Sequence, residues 1–339
     1  MNSLVTVAIV GATGAVGEVM LSILQERGFP VKQLIALASS RSAGQAVHFG
    51  GEKIEVRDLA SFDPAGVDVA LFSAGGDISR EYAPKFAAAG AIVIDNSSAF
   101  RYDDDVPLVV AEVNPDAMKV IPRGIIANPN CSTMQLLVAL APIHRAVGIE
   151  RINVATYQSV SGGGRSAIAE LDRQTAAILA SGDPAPDRFP VQIAFNLIPH
   201  IDDFQDNGYT KEEMKLVWET RKILGDESIQ VNPTAVRVPV VFGHSEAVHI
   251  ETRQKISASA ARALLEKAPG VVVVDEQRAG GYPTPVTHAA GHDAVFVGRI
   301  REDISHPRGL DLWVVSDNIR KGAALNAVQI AELWLKNCA

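Results

Sequence analysis

Nearly continuous apolar runs alternate with helical patterns over the first 130 residues of the chain. A run of β-branched and aliphatic residues without polar interruption is typical of a parallel strand that is buried on both faces of a sheet. Residues 15–27 and 79–89 predict crossover helices between such runs. The alternation indicates an α/β fold with a Rossmann-like, doubly wound parallel sheet. The runs that predict its strands are TVAIV (6–10), QLIALA (33–38), VDVALFSA (67–74), AIVIDN (91–96) and GIIAN (124–128).

The pattern changes after residue 130, because strands follow one another with fewer helices between them. SEAVHIETRQ (245–254) alternates apolar and polar positions, which is typical of an antiparallel strand with one solvated face. A helix is predicted over 166–180, and the Pro- and Asp-rich segment that follows it predicts an exposed loop. Together these elements predict an α+β domain with a mixed, largely antiparallel sheet. Further strands are predicted for RINVATYQSVSG (151–162), VVVV (271–274), AVFVGRI (294–300) and LDLWVVS (310–316).

The length of the chain also predicts two domains. A chain of 339 residues is too long for one ordinary hydrophobic core. We expect the first domain to span 1–130 and the second to span 131–317. The last segment, which contains NIRKGAALNAVQIAELWLK, has the apolar spacing of an amphipathic helix.

Composition and charge exclude several classes of protein. Hydrophobic residues make up 47% of the chain and charged residues 21%, as in soluble globular proteins. The formal net charge of −8 argues against nucleic acid or an anionic membrane as a partner. No apolar stretch has the length of a transmembrane helix, and the N-terminus lacks a signal-peptide pattern. Cys131 and Cys338 are too few for a disulfide scaffold, so we expect a reduced, cytoplasmic protein.

A glycine turn follows the first predicted strand directly. In VAIVGATGAVGEVM, the glycines Gly11, Gly14 and Gly17 follow this strand directly and lead into the next predicted helix. Glycines let the backbone approach a pyrophosphate closely, and a helix N-terminus supplies amide donors and a favourable dipole. Tight packing of the strand against the helix is the structural alternative. The position in a βαβ unit favours a dinucleotide site.

The residues after the second predicted strand indicate which dinucleotide binds. An NAD site usually carries Asp or Glu at this position, to bind the ribose hydroxyls. Here Ser39, Ser40, Arg41 and Ser42 occupy it. An arginine among hydroxyls suits a 2′-phosphate, so the sequence predicts NADP(H) rather than NAD. The structural alternative is a solvated basic turn.

Cys131 lies in GIIANPNCST, where a predicted strand leads into a helix. A helix N-terminus favours thiolate over thiol, so Cys131 is a candidate nucleophile, with a small core residue as the alternative. Asn130 is a candidate cap of this helix. A thiol nucleophile needs a base, and of the eight histidines His244 lies at a strand end in RVPVVFGHSE, seven residues after Arg237. No paired Cys/His spacing predicts a metal site.

Several further motifs follow one another along the chain. With them, the chain resembles the aspartate-β-semialdehyde dehydrogenases of the bacterial type over essentially its whole length. Each short motif is weak alone, but their joint order is very specific. The motifs are GATGAVG, SSRSAG, LFSAGG, DNSSAFR, VPLVVAEVN, NPNCST, YQSVSGGG, EEMK, RVPVVFGHSE, FVGRIR and WVVSDNIRKGAALN.

The resemblance implies roles for individual residues. Cys131 would be the nucleophile, His244 its acid/base partner and Gln158 the residue that orients the substrate. Read without the resemblance, EEMK is an ordinary solvated helix face. Arg237 would bind the substrate α-carboxylate, for which a guanidinium is suited, and Glu212 its amino group. The residues implied for substrate and phosphate are Arg101, Asn130, Glu212, Lys215 and Arg237.

The resemblance also implies an NADP-binding first domain that is completed by a C-terminal helix over 318–339. The second domain would bind the substrate and join two chains into a homodimer. The candidate NADP(H) contacts are Gly11, Thr13, Gly14, Ala15, Val16, Ser39, Arg41, Ser42, Ser161, Gly162 and Asn318.

The implied activity is reductive dephosphorylation of L-aspartyl-4-phosphate by NADPH through a Cys131 thioester. The product would serve lysine, methionine, threonine and diaminopimelate biosynthesis, and inorganic phosphate would be the other partner. Related enzymes with the same logic are N-acetylglutamyl-phosphate reductase and glyceraldehyde-phosphate dehydrogenase. A Cys/His hydrolase leaves the glycine turn and SSRSAG unused. A non-catalytic NADP-binding regulator is a further alternative, against which the intact Cys131 argues.

Overall fold

The structure is a computed structural model that describes residues 4–338. It separates into two compact units. One consists of the described residues up to 130 together with those from 323 onward, and the other is Cys131–Gly322. The side chain of Cys338, the second cysteine of the sequence, lies outside the described part. Residues 1–3 and residue 339 also lie outside it.

The first unit contains a 7-stranded sheet. Its order is β3-β4-β2-β1-β5-β6-β7, and every neighbouring pair except β3 and β4 is parallel. The doubly wound parallel sheet predicted from the sequence is therefore confirmed. The strands are β1 (Val5–Val10), β2 (Val31–Ala38), β3 (Ala46–Phe49), β4 (Glu52–Asp58), β5 (Val69–Phe72), β6 (Ile92–Asp95) and β7 (Ile125–Ala127).

The hairpin formed by β3 and β4 was not predicted. Both strands lie at one edge of the sheet, and most of the residues of β4 are exposed or half-buried. An edge strand with polar residues lacks the continuous apolar run by which the buried strands are recognised.

The second unit contains a 6-stranded sheet in the order β11-β12-β13-β10-β8-β9. The β8–β9 and β11–β12 pairs are parallel and the others antiparallel, which confirms the predicted mixed sheet. The sequence analysis missed β9, which contains Pro233. Proline is tolerated there because β9 is an edge strand. The strands are β8 (Ile149–Gln158), β9 (Gln230–Arg237), β10 (His244–Thr252), β11 (Val271–Val273), β12 (Val295–Glu302) and β13 (Gly309–Ser316).

The helices pack their apolar faces against these sheets. In the first unit, Val328 and Ile330 of the last helix are fully buried in one core with Ile9 and Leu71 of the sheet. Within the described residues, no helix is long and apolar enough to cross a membrane. The helices are α1 (Ala15–Glu26), α2 (Gly76–Ala88), α3 (Cys131–Val147), α4 (Arg165–Leu179), α5 (Lys211–Leu224), α6 (Ala258–Leu265) and α7 (Asn326–Cys338).

The last helix begins later than residue 318, from which the sequence analysis expected it. Asp317 Oδ1 accepts hydrogen bonds from the backbone N–H groups of Ile319 and Arg320, both at 2.8 Å, and so fixes a turn directly after β13. A π-helical turn over Arg320–Leu325 follows, and regular α-helix begins only at Asn326. Asn318 therefore lies on a turn and not on the helix.

Candidate active site

Strand ends bring the polar residues of the second unit together. Gln158 ends β8 and Arg237 ends β9, and the two residues are paired in register. His244 begins β10, which is antiparallel to β8, and it is paired with Ser316 at the end of β13. The carboxyl ends of β8 and β9 and the start of β10 thus meet at the same end of the strands. Gln158, Arg237 and His244 are all buried there.

His244 is fully buried and neutral. Its Nδ1 accepts a hydrogen bond from the backbone N–H of Ser159 at 3.1 Å, so the network assigns the proton of the neutral ring to Nε2. Burial, with a smaller effect of the nearby Arg237 charge, lowers the pKa of His244 to about 3. Nε2 has no hydrogen-bond partner among the described residues. His244 is therefore equipped to donate a hydrogen bond from Nε2.

Arg237 is held beside the same ring. Its Nη1 donates to the carbonyl oxygen of Ser159 at 2.7 Å. A Cβ atom added at Gly162 would lie 3.2 Å from Arg237 Nη1 and 3.5 Å from His244 Nε2. Gly162 thus lies directly beside both groups. Burial lowers the pKa of Arg237, but the negative charges of Glu212 and Cys131 partly oppose this effect.

Cys131 is the first residue of α3 and is half-buried. Because the N-terminal amides of a helix carry partial positive charge, this position lowers the pKa of a thiol. Arg237 adds a full positive charge to the same surroundings. A Cβ at Gly322 would lie 2.8 Å from Cys131 Cβ, so only glycine allows this approach. The site can hold a thiolate next to an arginine.

Helix α5 carries Glu212 and Lys215, and a capping box fixes where it begins. Thr210 Oγ1 accepts from the Glu213 N–H at 3.3 Å, and Glu213 Oε2 accepts from the Thr210 N–H at 2.7 Å. Glu213 Oε1 also accepts from the Ala235 N–H of β9 at 2.9 Å. Glu213 thus has a structural role, which leaves Glu212 as the acid that faces the site.

The side chains of α5 extend the polar cluster. Gln158 Nε2 donates to Glu212 Oε1 at 3.1 Å. Lys215 Nζ donates to Glu212 Oε2 at 2.9 Å and to Asp202 Oδ2 at 2.7 Å. Burial alone would lower the pKa of Lys215, but the two carboxylates outweigh it and raise this pKa. Lys215 is therefore a permanently charged ammonium, and a cation of this kind can bind phosphate.

Ser161 and Asn318 are buried and bonded to each other. Asn318 Nδ2 donates to Ser161 Oγ at 3.0 Å, and Asn318 Oδ1 accepts from the Gly243 N–H at 2.9 Å and from Ser159 Oγ at 3.0 Å. Asn318 therefore fixes Gly243, which precedes His244, and Ser159, whose backbone N–H bonds to the ring of His244. Sequence reasoning missed Ser159, although it lies inside YQSVSG, because nothing in the motif indicates where its N–H points.

The first unit has a cavity of about 470 Å³ at the carboxyl ends of β1 and β2. It contains Gly11, Thr13 and Gly14 from the turn and Ser39 to Ser42 after β2. Ala15 and Val16 do not line it, but they begin α1, whose N-terminus has no side-chain cap. Further lining residues that the sequence analysis did not propose as cofactor contacts are Ser40, Asp58, Ser73, Ala74, Ile78 and Tyr82.

The cavity has the groups needed to bind a dinucleotide that carries a 2′-phosphate. Gly11 has φ +90°, and a Cβ there would lie 2.5 Å from the carbonyl oxygen of Ser73, so only glycine is accommodated. Gly17 packs equally closely on Gly11, where a Cβ would lie 2.3 Å from its carbonyl oxygen. Tight packing thus explains these two glycines, whereas the uncapped amides of α1 and the exposed Arg41 provide anion-binding groups.

Arg101 and Asn130 lie in the first unit and are both buried. Arg101 Nη2 donates to the carbonyl oxygen of Asn96, just after β6, at 2.8 Å. Asn130 immediately precedes Cys131 in the chain. Among the described residues, no group of three or more His, Cys, Asp or Glu side chains could hold a metal ion.

Comparison with known families identifies both units. The profile "Semialdehyde dehydrogenase, NAD binding domain" matches residues 6–121, and "Semialdehyde dehydrogenase, dimerisation domain" matches residues 140–321. A protein from Legionella pneumophila named aspartate-semialdehyde dehydrogenase is 63% identical over 338 residues, 98% of this chain and 96% of that protein. This chain belongs to the aspartate-semialdehyde dehydrogenase family. The resemblance inferred from the motifs is confirmed.

Solved structures of the family have the same fold. A Vibrio cholerae aspartate semialdehyde dehydrogenase II complexed with ASA has a TM-score of 0.97 and 57% identity, covering 99% of both chains. A Candida albicans aspartate semialdehyde dehydrogenase with NADP has a TM-score of 0.78 and 25% identity, covering 99% of this chain and 100% of that one. The nucleotide-binding first unit predicted from the glycine turn is therefore shown by the family match as well.

Proposed function

We propose that this chain is an aspartate-semialdehyde dehydrogenase. It reduces L-aspartyl-4-phosphate to L-aspartate-4-semialdehyde with NADPH, and it runs the reverse reaction with NADP and inorganic phosphate. The observation that carries the proposal is the cluster in the second unit, where Cys131 at a helix N-terminus shares its surroundings with Arg237 and a neutral His244. Membership of the family supplies the substrate.

Cys131 forms the covalent intermediate. Its sulfur attacks the acyl carbon, a C–S bond forms, and the C–O bond to phosphate breaks with its electron pair leaving on phosphate. The thiol loses one proton when it becomes a thiolate, and the expelled phosphate takes up one proton, so the step balances. The helix N-terminus and Arg237 favour the thiolate that this step needs.

His244 serves as a hydrogen-bond donor. Its Nε2–H can donate to the substrate oxygen, on which negative charge develops when the thioester is reduced. That charge leaves the oxygen when the carbonyl re-forms and the C–S bond breaks, with its electron pair leaving on the Cys131 sulfur. A neutral imidazole suits this task because Nε2–H can polarise a carbonyl while keeping its proton. The Ser159 N–H on Nδ1 keeps the donor proton on Nε2.

The charged residues hold the substrate. Arg237 binds the α-carboxylate and Glu212 the α-amino group, while Gln158, bonded to Glu212, orients the acyl group at Cys131. Lys215, together with Arg101 and Asn130, binds the phosphate group.

The first unit holds the nicotinamide cofactor. When bound, NADPH supplies the hydride for the thioester. Gly11, Thr13 and Gly14, with the amides of Ala15 and Val16, hold its pyrophosphate, and Arg41 with Ser39 and Ser42 favours the 2′-phosphate. Gly162 lies directly beside Arg237 and His244, and Ser161 and Asn318 fix the loop around it.

The chain acts as a cytoplasmic homodimer joined through the second domain, 131–317, while 318–339 completes the first domain, 1–130. The match to the dimerisation domain supports the dimer. Its product feeds lysine, methionine, threonine and diaminopimelate biosynthesis.

The proposal is tested with aspartate semialdehyde and NADP, or NAD, with and without inorganic phosphate. We expect phosphate-dependent NADPH formation and a much weaker reaction with NAD. Cys131→Ala should lower the rate by about 1,000-fold or more, because it removes the nucleophile. Cys338→Ala is the matched control and should keep the wild-type rate. NADP binding without turnover of any aldehyde would indicate the non-catalytic regulator instead.

A further inference from the structure

Lys215 is held by two carboxylates, and only one of them has a role in the proposed function. Its Nζ lies 2.9 Å from Glu212 Oε2 and 2.7 Å from Asp202 Oδ2. A lysine that only had to bind phosphate tightly would gain from fewer neighbouring anions. Here one ammonium faces two carboxylates, so the group as a whole is negatively charged. Asp202 therefore opposes the binding of phosphate at Lys215.

The position of Asp202 is built into the fold. Its backbone has φ 68°, a left-handed conformation that Asp and Asn adopt more readily than most residues. Its Oδ1 accepts from the N–H of Asp203 at 3.0 Å, which leaves Oδ2 for Lys215. The next residue is anchored to α5, because the Lys211 N–H donates to the Asp203 carbonyl at 2.8 Å.

The other end of this segment is tied to the substrate site. The backbones of Ile198 and Arg237 exchange both hydrogen bonds, at 2.8 and 3.0 Å. The segment 198–203 thus runs from the arginine proposed for the substrate carboxylate to the helix that carries Lys215. Asp202 lies within it, directly on the ammonium.

The ion pair is partly shielded from solvent, chiefly on the Lys215 side. The side chain of Lys215 is 13% exposed and that of Asp202 is 29% exposed. Burial by itself would raise the pKa of Asp202, but the hydrogen bond and charge of Lys215 outweigh it and lower this pKa. Both groups are therefore charged at neutral pH, and water screens their field less than at an open surface.

We propose that Asp202 is a positioning residue that weakens phosphate binding at Lys215 and leaves more of the Glu212 charge for the substrate amino group. It takes up one of the three donors of the ammonium and part of its charge. Phosphate is then released readily after the thioester forms. Glu212 is less completely neutralised by Lys215 than it would be in an isolated pair. This inference rests on the proposed roles of Lys215 and Glu212.

The test is Asp202→Asn, which keeps the tolerance for left-handed backbone and removes the charge. The KM values for inorganic phosphate and for aspartate semialdehyde are measured in the NADP-reducing direction. We expect the KM for phosphate to fall by about 3- to 10-fold, the size expected for one partly screened charge, while the KM for the aldehyde does not fall. Asp203→Asn, at the adjacent exposed carboxylate, is the matched control and should change neither constant.

The outcomes separate this inference from the proposed function. If the wild-type enzyme has no phosphate-dependent reaction, the proposed function is wrong. If the wild-type enzyme is active but Asp202→Asn behaves like Asp203→Asn, or shifts both KM values in the same direction, the role of Asp202 is only structural and the inference is overturned.

A second variant and a second measurement do not depend on turnover. Asp202→Gly also suits the left-handed backbone and removes the charge, so it should shift phosphate binding in the same direction. Protection of Cys131 against iodoacetamide by increasing phosphate reports that binding directly. Half-protection at a lower phosphate concentration than in the wild type supports the inference, whereas an equal or higher concentration contradicts it.

Discussion

Burial controls the protonation of two ionisable residues on β10. His244 and Glu246 lie two positions apart on the same face of this strand, and both are fully buried. Burial favours the neutral form of each group, so it lowers the pKa of His244 and raises that of Glu246 well above its ordinary value. Neither carboxylate oxygen of Glu246 has a hydrogen-bond partner among the described residues, and the nearby Gln135 amide on α3 does not cancel the effect of burial.

The raised pKa of Glu246 predicts a pH-dependent stability. Between the ordinary carboxyl pKa and the higher value in the fold, the unfolded chain releases a proton that the folded chain retains. The free energy of unfolding therefore falls as pH rises through this interval, by about 1.4 kcal/mol per pH unit. Glu246→Gln cannot lose a proton, so we expect it to be more stable relative to wild type at pH 8 than at pH 5, with about 1 kcal/mol or more between the two differences.

Urea unfolding at the two pH values measures this difference. Glu251→Gln, at a half-buried carboxylate on the opposite face of β10, is the matched control. An equal effect of Glu246→Gln at both pH values would show that Glu246 is ionised in the folded protein.

At the scale of elements, α4 fixes the loop that follows it. The buried Glu170 accepts hydrogen bonds from the backbone N–H groups of Asp187, Arg188 and Phe189 at 2.9, 2.7 and 3.3 Å. One turn later, Gln174 Oε1 accepts from the N–H groups of Ile193 and Ala194 at 2.9 and 3.1 Å. The segment has the composition of a flexible loop, but two side chains of one helix face order it.

This arrangement predicts the result of Glu170→Gln. The substitution turns an amide NH₂ toward backbone donors, so buried N–H groups lose their acceptor. We expect amide hydrogen exchange over residues 187–194 to accelerate by about 10-fold or more, since the lost bonds are charge-assisted. Hydrogen exchange with mass spectrometry measures it, and Asp172→Asn, on the exposed face of α4, should leave the exchange unchanged. Unchanged exchange in Glu170→Gln as well would mean that the loop is ordered by other contacts.

At the scale of the whole molecule, the first unit is discontinuous in sequence. The chain leaves it after residue 130 and returns at 323, and α7 then fills its core with Val328 and Ile330. The first unit therefore cannot complete its core until the entire second unit has been synthesised. The core that contains Ala12 of the glycine turn thus includes a segment from the far end of the chain.

A cavity in this late segment should therefore destabilise the first unit. Ile330→Ala removes a fully buried side chain, and we expect the free energy of unfolding to fall by about 2–5 kcal/mol. Glu332→Ala on the same helix breaks only the partly exposed ion pair with Arg27, at 2.7 Å, and should cost about 0–1 kcal/mol. Chemical unfolding, with and without NADP, measures the free energy of unfolding of both variants and of the wild type. Equal costs for the two variants would show that α7 adds little to the core.

The local features of this protein could be predicted from the sequence because each rests on neighbouring residues. The buried strands have continuous apolar runs, and the glycine turn and Cys131 each lie where a strand leads into a helix. The hairpin strands β3 and β4 and the edge strand β9 could not be predicted in this way, because polar residues or a proline are tolerated at or next to the edge of a sheet. The roles assigned to the site residues came from the order of the family motifs, and they remain predictions.

The sequence by itself determined the two sheets, the candidate nucleophile and the family. Only the tertiary structure decided how the charged groups are paired and protonated, because these properties depend on burial and on atoms far apart in the chain. Ser159, 85 positions from His244, sets the tautomer of its ring. Glu213 is committed to the start of α5 and to β9, which leaves Glu212 for the site. Asp202, which no motif singled out, contacts Lys215 from the segment between α4 and α5, where its own backbone is left-handed.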